Sequence, residues 1–247
     1  MTKVHLLIRK EDIDEEKMSE GNKLAVVLDV LLATTTITAA LNDGATEVIP
    51  VMNAKEALDV GREFDSGFGI LAGEDKGKPI EGFIYPSPAV IRESIVGKTL
   101  ILSTTNGTVA LKKASNAKEV YVASLLNNPF VARRVRSVVK EEDTIVVICS
   151  GNSGELSLED FYGAGHFISC LLEDGWEVEL TDAAIAAHLF YLGNRDAYSI
   201  LSSSHVGGMF DRYDLEEELS FACRIGSIEL VPILKGRRVV LERTINK

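Results

Sequence analysis

Hydrophobic positions in the first two thirds of the chain follow two alternating patterns. Short runs rich in β-branched residues are each followed by a turn and then by apolar residues at helical spacing. This alternation is typical of βαβ units, and it predicts an α/β fold: a mostly parallel sheet with helices on both faces. Strands are predicted over 24–28, 47–51, 69–72, 99–102, 119–122 and 144–149.

Helices are predicted between and after these strands. Asn53 with Glu56 three residues later fits a helix cap, and Pro129 fits the first turn of a helix. The predicted helices cover 35–41, 53–64, 108–114, 128–140, 158–173 and 181–191. The last of them is apolar nearly all round, which predicts that it is buried in the core.

The pattern changes from about Ser199 onward. An acidic helix is predicted over 214–221, and late strands over 230–234 and 238–241, which together form a small C-terminal α+β extension. No linker or repeat divides the chain, so we expect a single domain over 1–247. For residues 199–247 two arrangements are open, a lid or an edge subdomain.

Composition narrows the range of functions. The 247 residues are 46% hydrophobic and 26% charged, as in ordinary globular proteins, and the net charge of −11 disfavours nucleic acid and anionic membranes as partners. The amino terminus has too few consecutive apolar residues for a signal peptide or a membrane span, so we expect a cytoplasmic protein. Three widely spaced cysteines without a C-x-x-C pattern predict free thiols. The oligomeric state is left open, a homo-oligomer included.

Candidate chemistry lies in the loops that follow the strands, because open α/β sheets bind ligands at the carboxyl ends of their strands. Asp29 ends a predicted strand, and Thr34, Thr35 and Thr36 begin the next helix. A carboxylate there can hold a cation and the threonines can donate to an anion, although a charged strand end with a helix cap would have the same sequence.

A second loop is the best phosphate cradle in the sequence. The loop consists of Thr104, Thr105, Asn106, Gly107 and Thr108. Its small hydrogen-bond donors and its one glycine allow the backbone to surround an oxyanion. Four lysines lie nearby with no acid between residues 94 and 118, and a solvated helix face explains them as well as ligand contact does.

Three further acids follow predicted strands. Glu74 lies on a turn, where a plain surface turn is the alternative, and Glu159 and Asp160 open the helix 158–173. Ser157 with Asp160 fits a capping box, which leaves Glu159 without a structural role. Together the carboxylates and the hydroxyl-rich loops predict a Mg²⁺-dependent site for a small anionic phosphate ester.

The sequence has no nucleotide P-loop and no nucleophile elbow, and its four histidines are scattered.

The motifs resemble those of the 2-phosphosulfolactate phosphatases of coenzyme M and sulfolactate biosynthesis. The matching stretches are Val27-Leu28-Asp29-Val30-Leu31 with Ala33-Thr34-Thr35-Thr36, Leu71-Ala72-Gly73-Glu74, Glu81-Gly82-Phe83, Ser87-Pro88, Gly97-Lys98-Thr99-Leu100 with Thr104-Thr105-Asn106-Gly107-Thr108, Ser124-Leu125-Leu126-Asn127 and Leu158-Glu159-Asp160. They run in family order from about residue 24 to 160.

The resemblance implies a Mg²⁺-dependent acid phosphatase that hydrolyses 2-phosphosulfolactate to sulfolactate and phosphate. On the matching positions it implies a metal site formed by Asp29, Glu74, Glu159 and Asp160. Of these, Asp29, Glu74 and Glu159 would also be catalytic. Asn127 would bind substrate together with the threonine-rich loops. Members of the family carry arginine where this chain has Leu32, Asp75 and Val109. Arginine binds anions by paired hydrogen bonds, so a chain without these three arginines has fewer groups to hold an anionic ester. A second hypothesis is therefore a diverged small-molecule binding or regulatory protein with little catalysis.

Overall fold

The fold was analysed in a computed structural model, which describes residues 1–65, 67–213 and 215–242. The strands in these residues are β1 Lys3–Leu7, β2 Lys23–Leu28, β3 Glu47–Val51, β4 Gly69–Asp75, β5 Lys78–Pro79, β6 Thr99–Ser103, β7 Glu119–Ala123, β8 Thr144–Cys149, β9 Glu179–Leu180, β10 Pro232–Lys235 and β11 Arg238–Leu241. The helices are α1 Glu15–Ser19, α2 Ala33–Asn42, α3 Ala54–Gly61, α4 Pro88–Arg92, α5 Gly107–Lys113, α6 Asn128–Val138, α7 Leu158–Leu171, α8 Asp182–Gly193, α9 Ala197–Ser203, α10 His205–Arg212 and α11 Glu216–Ala222.

The described strands form one sheet in the order β5-β4-β6-β3-β11-β10-β7-β2-β8-β1-β9. Strands β4, β6 and β3 pair in parallel, and so do β7, β2, β8, β1 and β9. The antiparallel hairpin β10–β11 joins these two parallel halves. The prediction of an α/β fold with a mostly parallel sheet is therefore confirmed.

The sheet curls around helix α2. Strands β6 and β2 are separated by four others, so in a flat sheet with strands about 4.8 Å apart they would lie about 24 Å from each other. The loops that follow these two strands are nevertheless in contact, since a Cβ built on Gly107 would lie 2.5 Å from Asp29 Oδ2. Residues 33–41 of α2 are all buried, because α2 contacts strands of both halves and the hairpin between them.

Helices cover both faces of the curled sheet. On the concave side, Ile37 and Leu41 of α2 pack with residues of β2, β3, β6, β7 and β11. On the convex side, α6, α7 and α8 pack over the half that contains β2, while α3 packs against Ile49 and Ile101 of the other half. This arrangement leaves the carboxyl ends of β2 and β6 facing each other across a narrow gap.

Helix α8 is not the buried core helix that its apolar sequence predicts. Ala184, Ala187 and Tyr191 are buried against the core, but Ile185 and Leu189 on the opposite face are exposed. The prediction was wrong because α8 covers the outside of α7 and nothing in the described chain covers α8 in turn.

The C-terminal part of the chain contributes to two regions. The late strands β10 and β11 lie in the interior of the sheet, and α10 lies over the carboxyl ends of the parallel strands. The predicted acidic helix is found as α11, while Asp214 and residues 243–247 lie outside the described residues. In the described chain no helix is both long and apolar enough to cross a membrane.

Candidate active site

A cavity of about 230 Å³ opens at the carboxyl ends of β2, β4, β6 and β8, beneath α10. Its polar lining consists of Asp29, Glu74, Lys76, Thr104, Thr105, Asn106, Asn152, Ser153 and His205. Its apolar and aromatic lining consists of Leu31, Leu32, Tyr85, Val206, Met209, Phe210 and Tyr213. The loops that the sequence singled out after β2, β4, β6 and β8 thus meet in one place.

Asp29 provides a buried carboxylate at the floor of the cavity. Its main chain is fixed by Thr34, whose hydroxyl donates to the Asp29 carbonyl at 2.9 Å, and its Oδ1 accepts from the Ala33 N–H at 3.3 Å. Burial, followed by the negative charge of Glu74, raises the pKa of Asp29 to about 7. The site therefore favours a cation or a proton beside Asp29.

Glu74 provides the second carboxylate, and loop backbone holds it in place. The N–H of Thr105 donates to Oε1 at 2.7 Å, and the N–H of Gly77 donates to Oε2 at 2.7 Å. The Thr105 hydroxyl donates to Oε2 at 3.1 Å. All three donors are neutral, so they orient Glu74 without cancelling its charge.

Close packing at position 107 explains why the Thr-Thr-Asn-Gly-Thr motif has a glycine there. A Cβ on Gly107 would lie 2.5 Å from Asp29 Oδ2 and 2.6 Å from the Cβ of Ala33. Such distances are far inside van der Waals contact, so only glycine allows α5 to begin directly against the Asp29 loop. The glycine thus serves to place a carboxylate beside the loop that also holds Glu74.

Asp160 joins two loops behind the cavity. Its Oδ1 accepts from the Val30 N–H at 2.8 Å and its Oδ2 accepts from the Gly151 N–H at 3.1 Å, while Ser157 Oγ caps its own N–H at 3.2 Å. Burial is the main cause that raises the pKa of Asp160, and the charges of Asp29 and Glu159 add to it. Both oxygens of Asp160 are therefore engaged in holding the loops after β2 and β8.

Glu159 is buried between the starts of α7 and α10. Burial raises its pKa, while hydrogen bonding to Ser157 and Ser204 and the nearby His205 lower it. Glu159 adds to the negative potential at Asp29 but does not line the cavity. It was predicted as a residue without a structural role, and it lies beside the helix that covers the site.

Comparison with known proteins identifies the family of the chain. A family model described as 2-phosphosulpholactate phosphatase matches residues 7–237. The chain belongs to the 2-phosphosulpholactate phosphatase family. A protein of Clostridium acetobutylicum named "Probable 2-phosphosulfolactate phosphatase" is 38% identical over 232 residues, covering 93% of this chain and 96% of its own length.

Two other relatives carry the same name. The protein of Clostridium perfringens is 39% identical over 234 residues, covering 93% of this chain and 92% of its own length. That of Clostridium beijerinckii is 32% identical over 242 residues, covering 97% and 100%. The family predicted from the sequence motifs, a family of phosphoric monoester hydrolases, is therefore confirmed.

The family motifs separate into residues that line the cavity and residues that support it. Asp29, Glu74, Thr104, Thr105 and Asn106 line it. The predicted residues that lie outside its lining are Thr34, Thr35, Thr36, Gly107, Thr108, Asn127, Glu159 and Asp160. The functional roles predicted for both groups stay predictions.

The supporting residues have structural hydrogen bonds of their own. Thr36 donates to the carbonyl of Pro86 at 2.7 Å, and Thr108 donates to the carbonyl of Thr104 at 2.9 Å. Asn127 Oδ1 accepts from the Ser124 N–H at 2.8 Å, which closes the loop after β7. Only the Thr35 hydroxyl among these threonines is buried without a hydrogen-bond partner in the described chain.

The carboxylates that face the cavity fit a magnesium ion with few protein ligands. No group of three or more His, Cys, Asp or Glu residues suited to a metal ion occurs within residues 1–65, 67–213 and 215–242. Asp29 and Glu74 are nevertheless carboxylates that face one cavity, and the charge of Glu74 contributes to the raised pKa of Asp29. Mg²⁺ is commonly held by one or two carboxylates with water and phosphate oxygens completing its coordination, so these two acids suit it.

Sequence reasoning missed several residues of the cavity. Lys76 lies on the turn after β4 with a left-handed backbone (φ 52°), and its N–H donates to Thr105 Oγ1 at 2.8 Å. His205, Met209 and Phe210 come from α10, whose approach to Gly77 is so close that a Cβ there would lie 2.4 Å from Met209. No local motif marks α10, because its residues reach the site only through the tertiary fold.

The three positions for which the sequence resemblance implies arginine differ in their relation to the cavity. Leu32 lines it, whereas Asp75 is exposed at the end of β4 and Val109 is half-buried in α5. Of these three positions, only Leu32 is therefore part of the cavity wall.

Proposed function

We propose that this chain is a Mg²⁺-dependent phosphatase that hydrolyses 2-phosphosulfolactate, or a closely related small phosphate monoester, to sulfolactate and phosphate. The observation that carries the proposal is the pair Asp29 and Glu74 facing one cavity beside Thr104, Thr105 and Asn106. Membership of the family and the printed names of the relatives support it.

In this proposal the two carboxylates would hold the cation. Bound Mg²⁺ supplies charge neutralisation at the phosphoryl oxygens and a more acidic water. Asp29 is suited to this because burial and Glu74 disfavour its charge in the absence of a cation. Glu74 is suited because its backbone donors fix its orientation before any ligand arrives.

Other cavity residues would bind and orient the ester. Lys76 supplies a cation, and Asn106 supplies an amide whose Oδ1 is held by Lys10 Nζ at 2.7 Å, which leaves its NH₂ group to donate. Tyr85 retains its proton at neutral pH, since burial and the charge of Glu74 raise its pKa to about 12, so its hydroxyl is a hydrogen-bond donor. Val206, Met209 and Phe210 of α10 limit the access of bulk water.

The experiment that tests the proposal is phosphate release from synthetic 2-phosphosulfolactate and a panel of simpler phosphomonoesters, with and without Mg²⁺. Wild type is expected to release phosphate only with the metal, and Asp29→Asn is expected to lower kcat by about 10² or more, as loss of a metal or charge-stabilising group commonly does. Unchanged Mg²⁺-dependent release in Asp29→Asn would contradict the assignment of Asp29. Release from no ester at all would contradict a phosphatase.

One observation favours the alternative of a small-molecule binding protein with little catalysis. Leu32 lines the cavity at a position where the sequence resemblance implies arginine, and the described basic residues of the wall are Lys76 and His205. Leu32→Arg distinguishes the two hypotheses. In a phosphatase it should lower the KM for 2-phosphosulfolactate, which carries phosphate, sulfonate and carboxylate groups, about tenfold, the value of one charge-assisted hydrogen bond, with a smaller effect on a neutral-tailed ester. In a binding protein it should change affinity without turnover.

A further inference from the structure

Lys10 is a buried lysine beside the candidate active site, and it belongs to none of the sequence motifs. It is 9% exposed, its Nζ donates to Asn106 Oδ1 at 2.7 Å, and Nζ lies 2.9 Å from Glu11 Oε1. A lysine is seldom buried, because taking its charge out of water costs free energy. The ion pair with Glu11 does not explain the burial, since two adjacent residues can pair equally well in solvent. The contact that requires burial is the one with Asn106.

The main chain of Lys10 is fixed on both sides. Its N–H donates to the carbonyl of Ser150 at 3.0 Å, and its own carbonyl accepts from Lys113 Nζ at 2.9 Å. Ser150 follows β8 directly, and Lys113 ends α5. Lys10 is therefore held against two of the elements whose loops form the cavity. A side chain that starts from a fixed backbone loses less freedom when it contacts its partner.

Asn106 occupies the N-cap position of α5, but its side chain caps no N–H of that helix in the described part of the chain. An asparagine at this position commonly turns Oδ1 toward an N–H of the first turn. Thr104 takes over that task, since its Oγ1 accepts from the Thr108 N–H at 3.3 Å. The Asn106 side chain is thus free to accept from Lys10 and to line the cavity.

The contact with Lys10 decides which end of the Asn106 amide is left for the cavity. An amide has an acceptor end and a donor end, whereas a lysine ammonium only donates. The oxygen must therefore face Lys10, because the reverse orientation would bring two donors together. Since Asn106 lines the cavity, its NH₂ group is the end that remains for a ligand. Such a donor suits an anionic oxygen and would repel a metal ion.

We propose that Lys10 is a positioning residue of the site: it fixes the Asn106 amide so that the NH₂ group donates to a phosphate oxygen of the substrate. This inference rests on the proposed function for the identity of the substrate as a phosphate ester. Lys10 does not line the cavity, so it acts through Asn106. Without Lys10, the amide can turn its oxygen toward the anion and repel it.

The first test is calorimetric titration of inorganic phosphate into the protein at saturating Mg²⁺. Lys10→Met retains an unbranched side chain without the charge, and it should bind phosphate at least about tenfold more weakly than wild type. The matched control is Lys17→Met, which removes the same charge from a side chain that is 73% exposed and paired with Asp14. It should bind phosphate as wild type does. Unchanged binding in Lys10→Met, equal weakening in Lys17→Met or a wild type that does not bind phosphate overturns the proposal.

Turnover of 2-phosphosulfolactate separates positioning from a general structural role. Lys10→Met should lower kcat/KM about tenfold in the wild-type background. In Asn106→Ala it should lower kcat/KM by less than about twofold, because no amide remains to be oriented. Lys10→Arg should recover most of the loss, since a guanidinium also only donates. Circular dichroism checks that each variant is folded.

The outcomes distinguish this inference from the proposed function. A lysine that only stabilises the loop would lower kcat/KM equally in both backgrounds, and that result would overturn the positioning role. A wild type that hydrolyses no ester would contradict the proposed function, and the phosphate titration would still decide whether Lys10 orients Asn106 toward an anion.

Discussion

Two pairs of acids lie at the same edge of the sheet, Asp29 with Glu74 and Glu159 with Asp160, but only the first pair faces the cavity. Neutral backbone groups donate to Asp29 and Glu74 and orient them in the cavity. Asp160 uses both oxygens to bind the N–H groups of Val30 and Gly151, and Glu159 is enclosed between α7 and α10. Glu74 also accepts backbone N–H groups at both of its oxygens, so hydrogen-bond donors alone do not separate the pairs. The comparison teaches that a carboxylate at the end of a strand can belong to the chemistry or to its support, and that whether it faces the cavity distinguishes the two.

The largest expected effect is the difference in activity between two variants, in each of which one acid of a pair is replaced by its amide. Glu74→Gln should lower Mg²⁺-dependent phosphate release by about 10² or more, since it removes a charge that faces the cavity. Glu159→Gln should lower it by less than about tenfold, because Glu159 acts on the site only through its field. Steady-state kinetics at saturating Mg²⁺ checks both variants, and equal losses would remove the distinction between the two pairs.

Gly107→Ala tests whether the close approach of α5 positions Asp29. The added Cβ would lie 2.5 Å from Asp29 Oδ2, so the variant should lose about 1 to 3 kcal/mol of unfolding free energy and much of its activity. Gly208→Ala is the matched control, because a Cβ on Gly208 meets nothing within 4 Å. Urea denaturation should show Gly208→Ala as stable as wild type or slightly more so. Equal stability of the two variants would show that the loops can separate without cost.

Asp160→Asn tests whether Asp160 of the pair Glu159 and Asp160 holds the loops after β2 and β8 together. An amide retains one acceptor oxygen and leaves either the Val30 or the Gly151 N–H without a partner, which should cost about 2 kcal/mol of unfolding free energy. Below its melting temperature the variant should retain most of its kcat. A variant as stable as wild type that has lost its activity would place Asp160 among the chemical acids.

The smallest expected effect is on the pH dependence of folding stability. It comes from His166 in α7, which belongs to neither acid pair. Burial, with the charge of Arg195, lowers the pKa of His166 to about 4, and its ring contacts Asn128 and Cys170. The unfolded chain binds this proton below about pH 6.5 and the folded chain only near pH 4, so folding stability is lost as pH falls through that window. Between about pH 7 and pH 5 the loss should be about 1.8 kcal/mol.

His166→Gln removes this titration and should reduce the pH dependence by that amount, whatever its effect on stability at pH 7. Chemical denaturation at both pH values measures the difference. An unchanged pH dependence would mean that other groups, the cavity acids among them, account for the acid sensitivity.

Local pattern was sufficient for the parallel strands and for the loops that meet at the site. The predicted bounds 47–51 and 144–149 agree with β3 and β8, and Asn53 accepts from the Glu56 N–H at 3.0 Å as its capping sequence indicated. Asp29 and Glu74 were found because carboxylates that end strands are visible in sequence. These features depend on neighbours a few residues apart.

Features that depend on distant contacts were not predictable in this way. The curl of the sheet brings β2 and β6 together across four strands, and β10 and β11 insert between the halves, neither of which leaves a periodic signal. Lys76 and His205 reach the cavity through a turn and a late helix. Helix α8 is apolar nearly all round, so its sequence could not show which of its faces the rest of the chain leaves exposed.

Direct Mg²⁺ titration by calorimetry tests the distinction between the two acid pairs without reliance on turnover. Wild type should bind one Mg²⁺ ion, Asp29→Asn should bind it at least tenfold more weakly, and folded Asp160→Asn should bind it as wild type does. Loss of binding in Asp160→Asn together with unchanged binding in Asp29→Asn would contradict the account.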